Sequence, residues 1–167
     1  MGSEMCIRDR VNIVTKVLLI IAHTPSVNTK ALGDAALRGA SVADAGDITA
    51  RLISPFDVVA DDLFAADGLI LGTTENIGYM AGATKDMFDR CYNDWLDRTQ
   101  AMPVGLYIRV GLDGTATRRA LEGIFSAQKW RLVAAPMILH GDWSEDYPTE
   151  VEEMAMAMAA GLDAGIF

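Results

Sequence analysis

Four short segments carry the residues with chemistry to offer, and each follows an apolar run. The first is His23-Thr-Pro-Ser-Val-Asn-Thr29, which crowds hydroxyls and an amide into one turn. Between a strand and a helix such a turn presents backbone amides to an anion, and Thr24, Ser26, Asn28 and Thr29 add neutral donors. No Gly-Lys-Ser/Thr follows and Lys30 stands alone, so this is not a Walker loop, nor is it a G-x-G-x-x-G turn. Without an obligatory Lys or magnesium ligand, it suits a small, permanently bound phosphate monoester. The same residues also make an ordinary polar turn with a Ser or Thr helix cap.

The second segment runs Thr73-Thr-Glu-Asn-Ile-Gly-Tyr-Met80. Its backbone amides and Asn76 can hydrogen-bond a planar heterocycle while Ile77 or Tyr79 packs on the face of the ring. A solvated loop with Tyr79 folded onto the core is the plain alternative. The third segment, 109–115, opens with the cation Arg109, which can equally be spent on a salt bridge to Asp113 or Glu75. The fourth, 140–147, begins His140-Gly-Asp-Trp143. His140 and His23 are the only imidazoles, so metal binding is a poor reading. Cys91 sits in an apolar helical stripe and reads as buried filler.

The elements that position these segments are legible from periodicity. Lys16-Val-Leu-Leu-Ile-Ile-Ala22 is a continuous apolar run of strand length, as in a sheet covered on both faces. Helical spacing follows over 30–43, an alternating strand over 48–53, a short helix over 61–66 and an apolar strand over 68–73. The spacing of Met87, Phe88, Cys91, Tyr92, Trp95 and Leu96 predicts an amphipathic helix over 81–98. A strand is expected over 103–108, a helix over 115–129, and a fifth strand over 132–139. Pro136 inside that last strand marks it as an edge or a bulge. Thr149-x-x-Glu152 reads as a capping box opening a final helix through Met154, Met158 and Leu162. The expected fold is α/β: three layers around a doubly wound, five-stranded parallel sheet of order 2-1-3-4-5. In such a sheet ligands bind beyond the carboxyl ends of the strands, so the four segments meet on one rim.

The chain's 167 residues make about one domain, expected over 16–167. Residues 1–15 are expected to be a disordered leader or an artefactual extension, since 1–10 show no strand or helix period and no signal-peptide core. A net charge of −9 opposes nucleic acid and anionic membranes. Seven of the carboxylates lie in 140–167, where there is no Lys or Arg. Two cysteines cannot make a disulfide framework, and a reduced, cytoplasmic setting is the default. No apolar run reaches membrane-spanning length.

The stretch Ala66-Asp-Gly-Leu-Ile-Leu-Gly-Thr-Thr-Glu-Asn-Ile-Gly-Tyr-Met-Ala-Gly-Ala-Thr-Lys-Asp-Met-Phe-Asp-Arg90 resembles the second flavin loop and following helix of the flavodoxin-like superfamily. The match is closest to its flavodoxin-like and NADPH-dependent FMN reductase branches. Thr24-Pro-Ser-Val-Asn-Thr29 is similar to the flavodoxin phosphate loop T-x-S/T-G-N-T, with Val27 where flavodoxins favour Gly. The resemblance spans 16–162. It implies FMN, with its phosphate on Thr24, Ser26, Val27, Asn28 and Thr29. The isoalloxazine would lie between Thr73, Thr74, Glu75, Asn76, Ile77, Gly78 and Tyr79 on one side and Arg109, Gly111 and Gly114 on the other.

Under that resemblance, Arg109 would stabilise negative charge at the reduced ring or grip a nicotinamide phosphate. His140 would give a proton to a reduced quinone, and Trp143 would shield the flavin. The implied function is an FMN redox protein taking hydride from NAD(P)H and passing electrons to a quinone or similar acceptor. The rivals are a flavodoxin-type electron carrier, whose acidic surface suits basic redox proteins, and a flavin-free binding member of the fold. Val27 is the support for the last, because a β-branched residue resists positive φ and close backbone approach. Monomer and homodimer both fit the sheet edge and the Met-rich final helix.

Overall fold

The computed structural model describes residues 14–42 and 46–167. The expected leader, Val14 and Thr15 apart, and Ala43 of the expected first helix lie outside the described residues. Along them run β1 (Lys16–Ala22), α1 (Val27–Ala40), β2 (Ile48–Ile53), a 3-10 turn (Pro55–Asp57) and α2 (Ala60–Phe64). Next come β3 (Gly68–Asn76), β4 (Tyr79–Met80), α3 (Gly82–Trp95), β5 (Pro103–Val110) and α4 (Thr115–Gln128). The chain finishes with β6 (Arg131–Leu132), β7 (Met137–His140) and α5 (Asp146–Asp163).

Leu18, Leu19, Ile20 and Ile21 of β1 have no exposed surface, as a central strand with helices on both faces requires. β1 pairs in parallel with β2 and β3, β3 with β5, and β5 with both β6 and β7. The order is therefore the expected 2-1-3-4-5, with β5 in fourth place and β6 and β7 sharing the fifth. The single strand expected over 132–139 is broken at 133–136 because Pro136 has no N–H to give a ladder. It can break there because it is the edge.

Alternate residues of the sheet feed two cores. Leu19, Ile21, Leu71, Leu106 and Ile108 pack with Phe88, Trp95, Phe125 and Trp130 from the α3–α4 side. Leu18, Ile20, Ile70, Tyr107 and Leu139 pack with Leu32, Ala36, Val151, Ala155 and Met158 from α1 and α5. Each large side chain so buried contributes roughly 1.5–3 kcal/mol. The α1–α5 contact is built from small residues and is correspondingly close. A β-carbon on Gly39 would stand 2.2 Å from the Glu152 carbonyl oxygen, and Arg38 reaches Glu152 at 3.2 Å.

Several boundaries differ from expectation, each for a local reason. α1 starts at Val27 rather than Lys30, because Ser26 caps it: Thr29 N–H donates to Ser26 Oγ at 3.2 Å and Ser26 N–H to Thr29 Oγ1 at 2.9 Å. α5 starts at Asp146, before the Thr149 expected to cap it; Ser144 Oγ accepts from Asp146 N–H at 3.2 Å. Pro148 then falls in the first turn, where a missing N–H is harmless. β3 runs on to Asn76, and β5 to Val110, so Arg109 lies within a strand instead of beyond it. α3 ends at Trp95, leaving Leu96 exposed. Among the described residues, no helix is long and apolar enough to cross a membrane.

Candidate functional site

The carboxyl ends of β1, β3, β5 and β7 form the rim. An open cleft of about 270 Å³ lies there, between the first turn of α1 and the ends of β3 and β5. It gathers Ser26, Asn28, Thr29, Thr74, Glu75, Arg109 and Gly111, all named from sequence, and adds Val110. Thr74 and Arg109 are register partners across β3 and β5 and form its floor.

The α1 end of the cleft is an anion cradle of modest strength. A helix leaves its first amides without intrahelical acceptors. Here Ser26 Oγ takes the Thr29 amide and the Ser26 carbonyl takes that of Lys30 at 2.8 Å. The amides of Val27 and Asn28 are left for water or a ligand, with the helix dipole behind them. Val27 is the first helical residue and its side chain is largely exposed. The steric objection to a residue other than Gly at this position therefore falls away: no positive φ is needed. Thr24 is not in the cleft; its methyl sits 3.0 Å from where a β-carbon on Gly33 would stand.

The second segment is a β-hairpin rather than a loop. Asn76 pairs with Tyr79 and Glu75 with Met80, leaving Ile77 and Gly78 as a two-residue turn with φ of 53° and 73°. Those angles match a type I′ turn, which strongly favours Asn-Gly. A β-branched, fully exposed Ile at its first position is strained. Thr74 Oγ1 donates to Asn76 Oδ1 at 2.8 Å, bracing the hairpin base. Thr73 faces the other way, its hydroxyl 2.7 Å from that of Thr84 in α3. Tyr79 stays partly exposed instead of folding onto the core.

Arg109 forms neither expected salt bridge. Its guanidinium donates to the carbonyls of Val110 (2.6 Å), Leu139 (2.9 Å) and Gly141 (2.5 Å). Its charge stays beside the cleft, but its N–H groups are largely committed to backbone. Glu75 accepts instead from Leu112 N–H at 2.9 Å, tying the hairpin to the 111–114 turn. Gly114 is the buried N-cap of α4, outside the cleft.

His140 is exposed and follows Ile138 on the α3–α4 side of β7, away from the cleft. Trp143 donates to Glu145 at 2.9 Å and packs edge-on to Tyr147, so it covers the start of α5. His23 rests against Phe56, and burial lowers its pKa. Cys91 is buried, which raises its thiol pKa and agrees with a filler role. Among the described residues there is no cluster of potential metal ligands.

One further participant closes a segment named from sequence, and another had no signal there. Tyr147, seven residues past His140, donates its hydroxyl to the His140 carbonyl and lays its ring near Arg109. Tyr107, two residues before Arg109 on the same face of β5, is 3% exposed and its hydroxyl has no partner among the described residues. Its ring lies on Gly72, where a β-carbon would come within 2.1 Å of it.

No protein-family model matches the chain, and no curated protein matches it in sequence. Solved structures do. A flavodoxin from Pseudomonas aeruginosa superposes with a TM-score of 0.69 at 16% identity, covering 88% of this chain and 98% of that one. Flavodoxin 2 from Bacillus cereus gives 0.66 at 20% identity, covering 91% and 99%. An oxidoreductase from Corynebacterium diphtheriae gives 0.60 at 18% identity, covering 90% and 96%. The chain has the flavodoxin-like fold.

Proposed function

We propose that this chain binds FMN in the rim cleft and works as a redox protein. The observation that carries the reading is the meeting, across one cleft, of Ser26, Asn28 and Thr29 at the start of α1, Glu75 in the base of the hairpin, and the Thr74–Arg109 row. The donor set fits the cofactor: the cradle residues are neutral donors, the hairpin offers backbone amides, and the one carboxylate lining the cleft, Glu75, is engaged with Leu112. The likeness to flavodoxins supports the same reading.

FMN, when bound, supplies redox chemistry that no side chain here has. The chain's own part is placement and electrostatics. The Val27 and Asn28 amides with Ser26 Oγ hold the phosphate. Asn76 and the hairpin amides bond the ring edge, while Ile77 and Tyr79 keep water from one face. Arg109 holds the 109–141 side in place and adds positive potential without needing to touch the ring.

The rim favours electron passage to a partner protein. The cleft is open, and Val27, Ile77 and Leu112 stand exposed around it as an apolar collar on a chain of net charge −9. A second reading, hydride transfer from NAD(P)H and onward delivery to a quinone, has one observation of its own. Beside the rim, a polar hollow of about 300 Å³ at the start of α4 is lined by Thr115, Arg118 and Arg119 together with Asp113 and Glu122; Glu122 pairs with Arg118 at 3.0 Å, so Thr115 and Arg119 are the groups there that suit a nucleotide phosphate. Either reading places the chain in the cytoplasm as a monomer or homodimer.

The test begins with the visible spectrum after FMN loading and removal of free flavin. Retained flavin is expected. Failure to retain it at saturating FMN overturns the proposal. Anaerobic addition of NADPH to the loaded protein then separates the two readings: rapid bleaching favours the enzyme, and bleaching only through an added reductase protein favours the carrier.

A further inference from the structure

Away from the rim, at the sheet edge, the break in the fifth strand leaves part of α5 uncovered. Val133, Ala134, Ala135 and Met137 and the Met154, Ala157 and Met158 face of α5 enclose a hollow of about 370 Å³, closed at one side by Phe167. That volume lies within the range of small-ligand pockets. It shares no lining residue with the rim cleft. The hollow exists because Ala134, Ala135 and Ala157 supply only methyls where larger chains would fill it. Its floor is soft: the Met158 and Met154 sulfurs lie 3.0 and 3.7 Å from where a β-carbon on Gly105 would stand.

The charge around the hollow is one-sided. Among the described residues, its charged lining is Glu150 and Glu153 alone, three apart on α5 and so neighbours on the helix surface. Neither forms an ion pair among the described residues, and 140–167 contains no Lys or Arg to answer them. Both carboxylates are exposed where they line the hollow, so they attract a cationic head there and repel an anion. We propose that this hollow is a second binding site, for a small amphiphilic cation. The ligand's apolar body lies between Met154, Met158 and Phe167, and its positive head lies at Glu150 and Glu153.

The test is calorimetric titration of the full chain with octyltrimethylammonium and with octyl sulfate, which share a tail and differ in head charge, below their micelle concentrations. Saturable one-to-one binding of the ammonium is expected, about tenfold tighter or better than the sulfate. The double variant Glu150→Gln, Glu153→Gln should bring the two within about threefold. Ala157→Trp, at an exposed position, should abolish saturable binding while leaving the circular dichroism and FMN uptake unchanged. Equal binding of the two heads, no saturation, or indifference to Ala157→Trp would overturn the proposal. So would a concentration-dependent dimer that Ala157→Trp dissociates, since a second copy would then be the occupant.

Discussion

The guanidinium of Arg109 lies 5.7 Å from the centre of the Tyr147 ring, and the two residues close one circuit. Arg109 binds the carbonyls of Leu139 and Gly141, and Tyr147 binds the carbonyl of His140 between them. Three consecutive carbonyls at the end of β7 are thus held by one strand and one helix. These bonds join a charge to neutral carbonyls, so salt should weaken them little. Arg109→Met is expected to destabilise the fold by about 1.5–3 kcal/mol, similarly in low and high salt. Urea unfolding at two NaCl concentrations measures this; a loss confined to low salt would mean an undetected ion pair.

Ile77 is strained where Asn would be at ease. Ile77→Asn should stabilise the protein without FMN by about 1 kcal/mol, read as a higher urea midpoint at unchanged slope. If Ile77 covers the ring face, the same variant should weaken FMN binding by roughly three- to tenfold. Stability and affinity would then move in opposite directions.

The hydroxyl of Tyr107, without a partner among the described residues, costs desolvation. Tyr107→Phe should therefore be neutral or stabilising by up to about 1 kcal/mol. Gly72→Ala forces a methyl into the same ring and should cost about 1–3 kcal/mol. Shrinking the ring side chain should recover much of that loss, so Gly72→Ala with Tyr107→Leu must be less than additive. Thermal unfolding of the four species tests the coupling.

Burial beside Phe56 lowers the His23 pKa from its usual 6.5, so folding favours the neutral ring. Its contribution is fully present above the unfolded value and is lost as pH falls through the lower folded one. Stability should decline below about pH 6.5. Phe56→Ala should raise the His23 pKa toward 6.5, measured by proton NMR of the imidazole.

Ser26→Ala removes the cap and one proposed phosphate donor together. About 1 kcal/mol of stability should go. FMN affinity should fall by a larger factor than riboflavin affinity, because riboflavin has no phosphate.

What the sequence made legible follows physical range. β1 was readable because a central strand must be apolar on both faces, and α3 because Met87, Phe88, Cys91 and Trp95 share one side of a helix. The cleft's location followed from topology alone. Misjudged features depended on competition between neighbours: Ser26 captured the cap of α1 from later residues, and α5 began at Asp146, whose N–H Ser144 Oγ accepts, ahead of Thr149. Arg109 shows the remaining limit. A cation among carboxylates suggests a salt bridge, yet its strand register places three carbonyls nearer. Long-range register of that kind leaves no trace in local composition.

The close seat of α1 on α5 sets an order of events during synthesis. Leu32 and Ala36, which brace the start of α1 from below, share a core with Val151 and Ala155, more than a hundred residues later. Contacts so distant in sequence form late. Until Val151 and Ala155 have emerged, α1 rests only on the sheet, through Leu18, Ile20 and Ile70. The proposed FMN cleft at the front of the sequence is then held in place by the back of it, and if the chain binds FMN as proposed, truncation of α5 should abolish its retention.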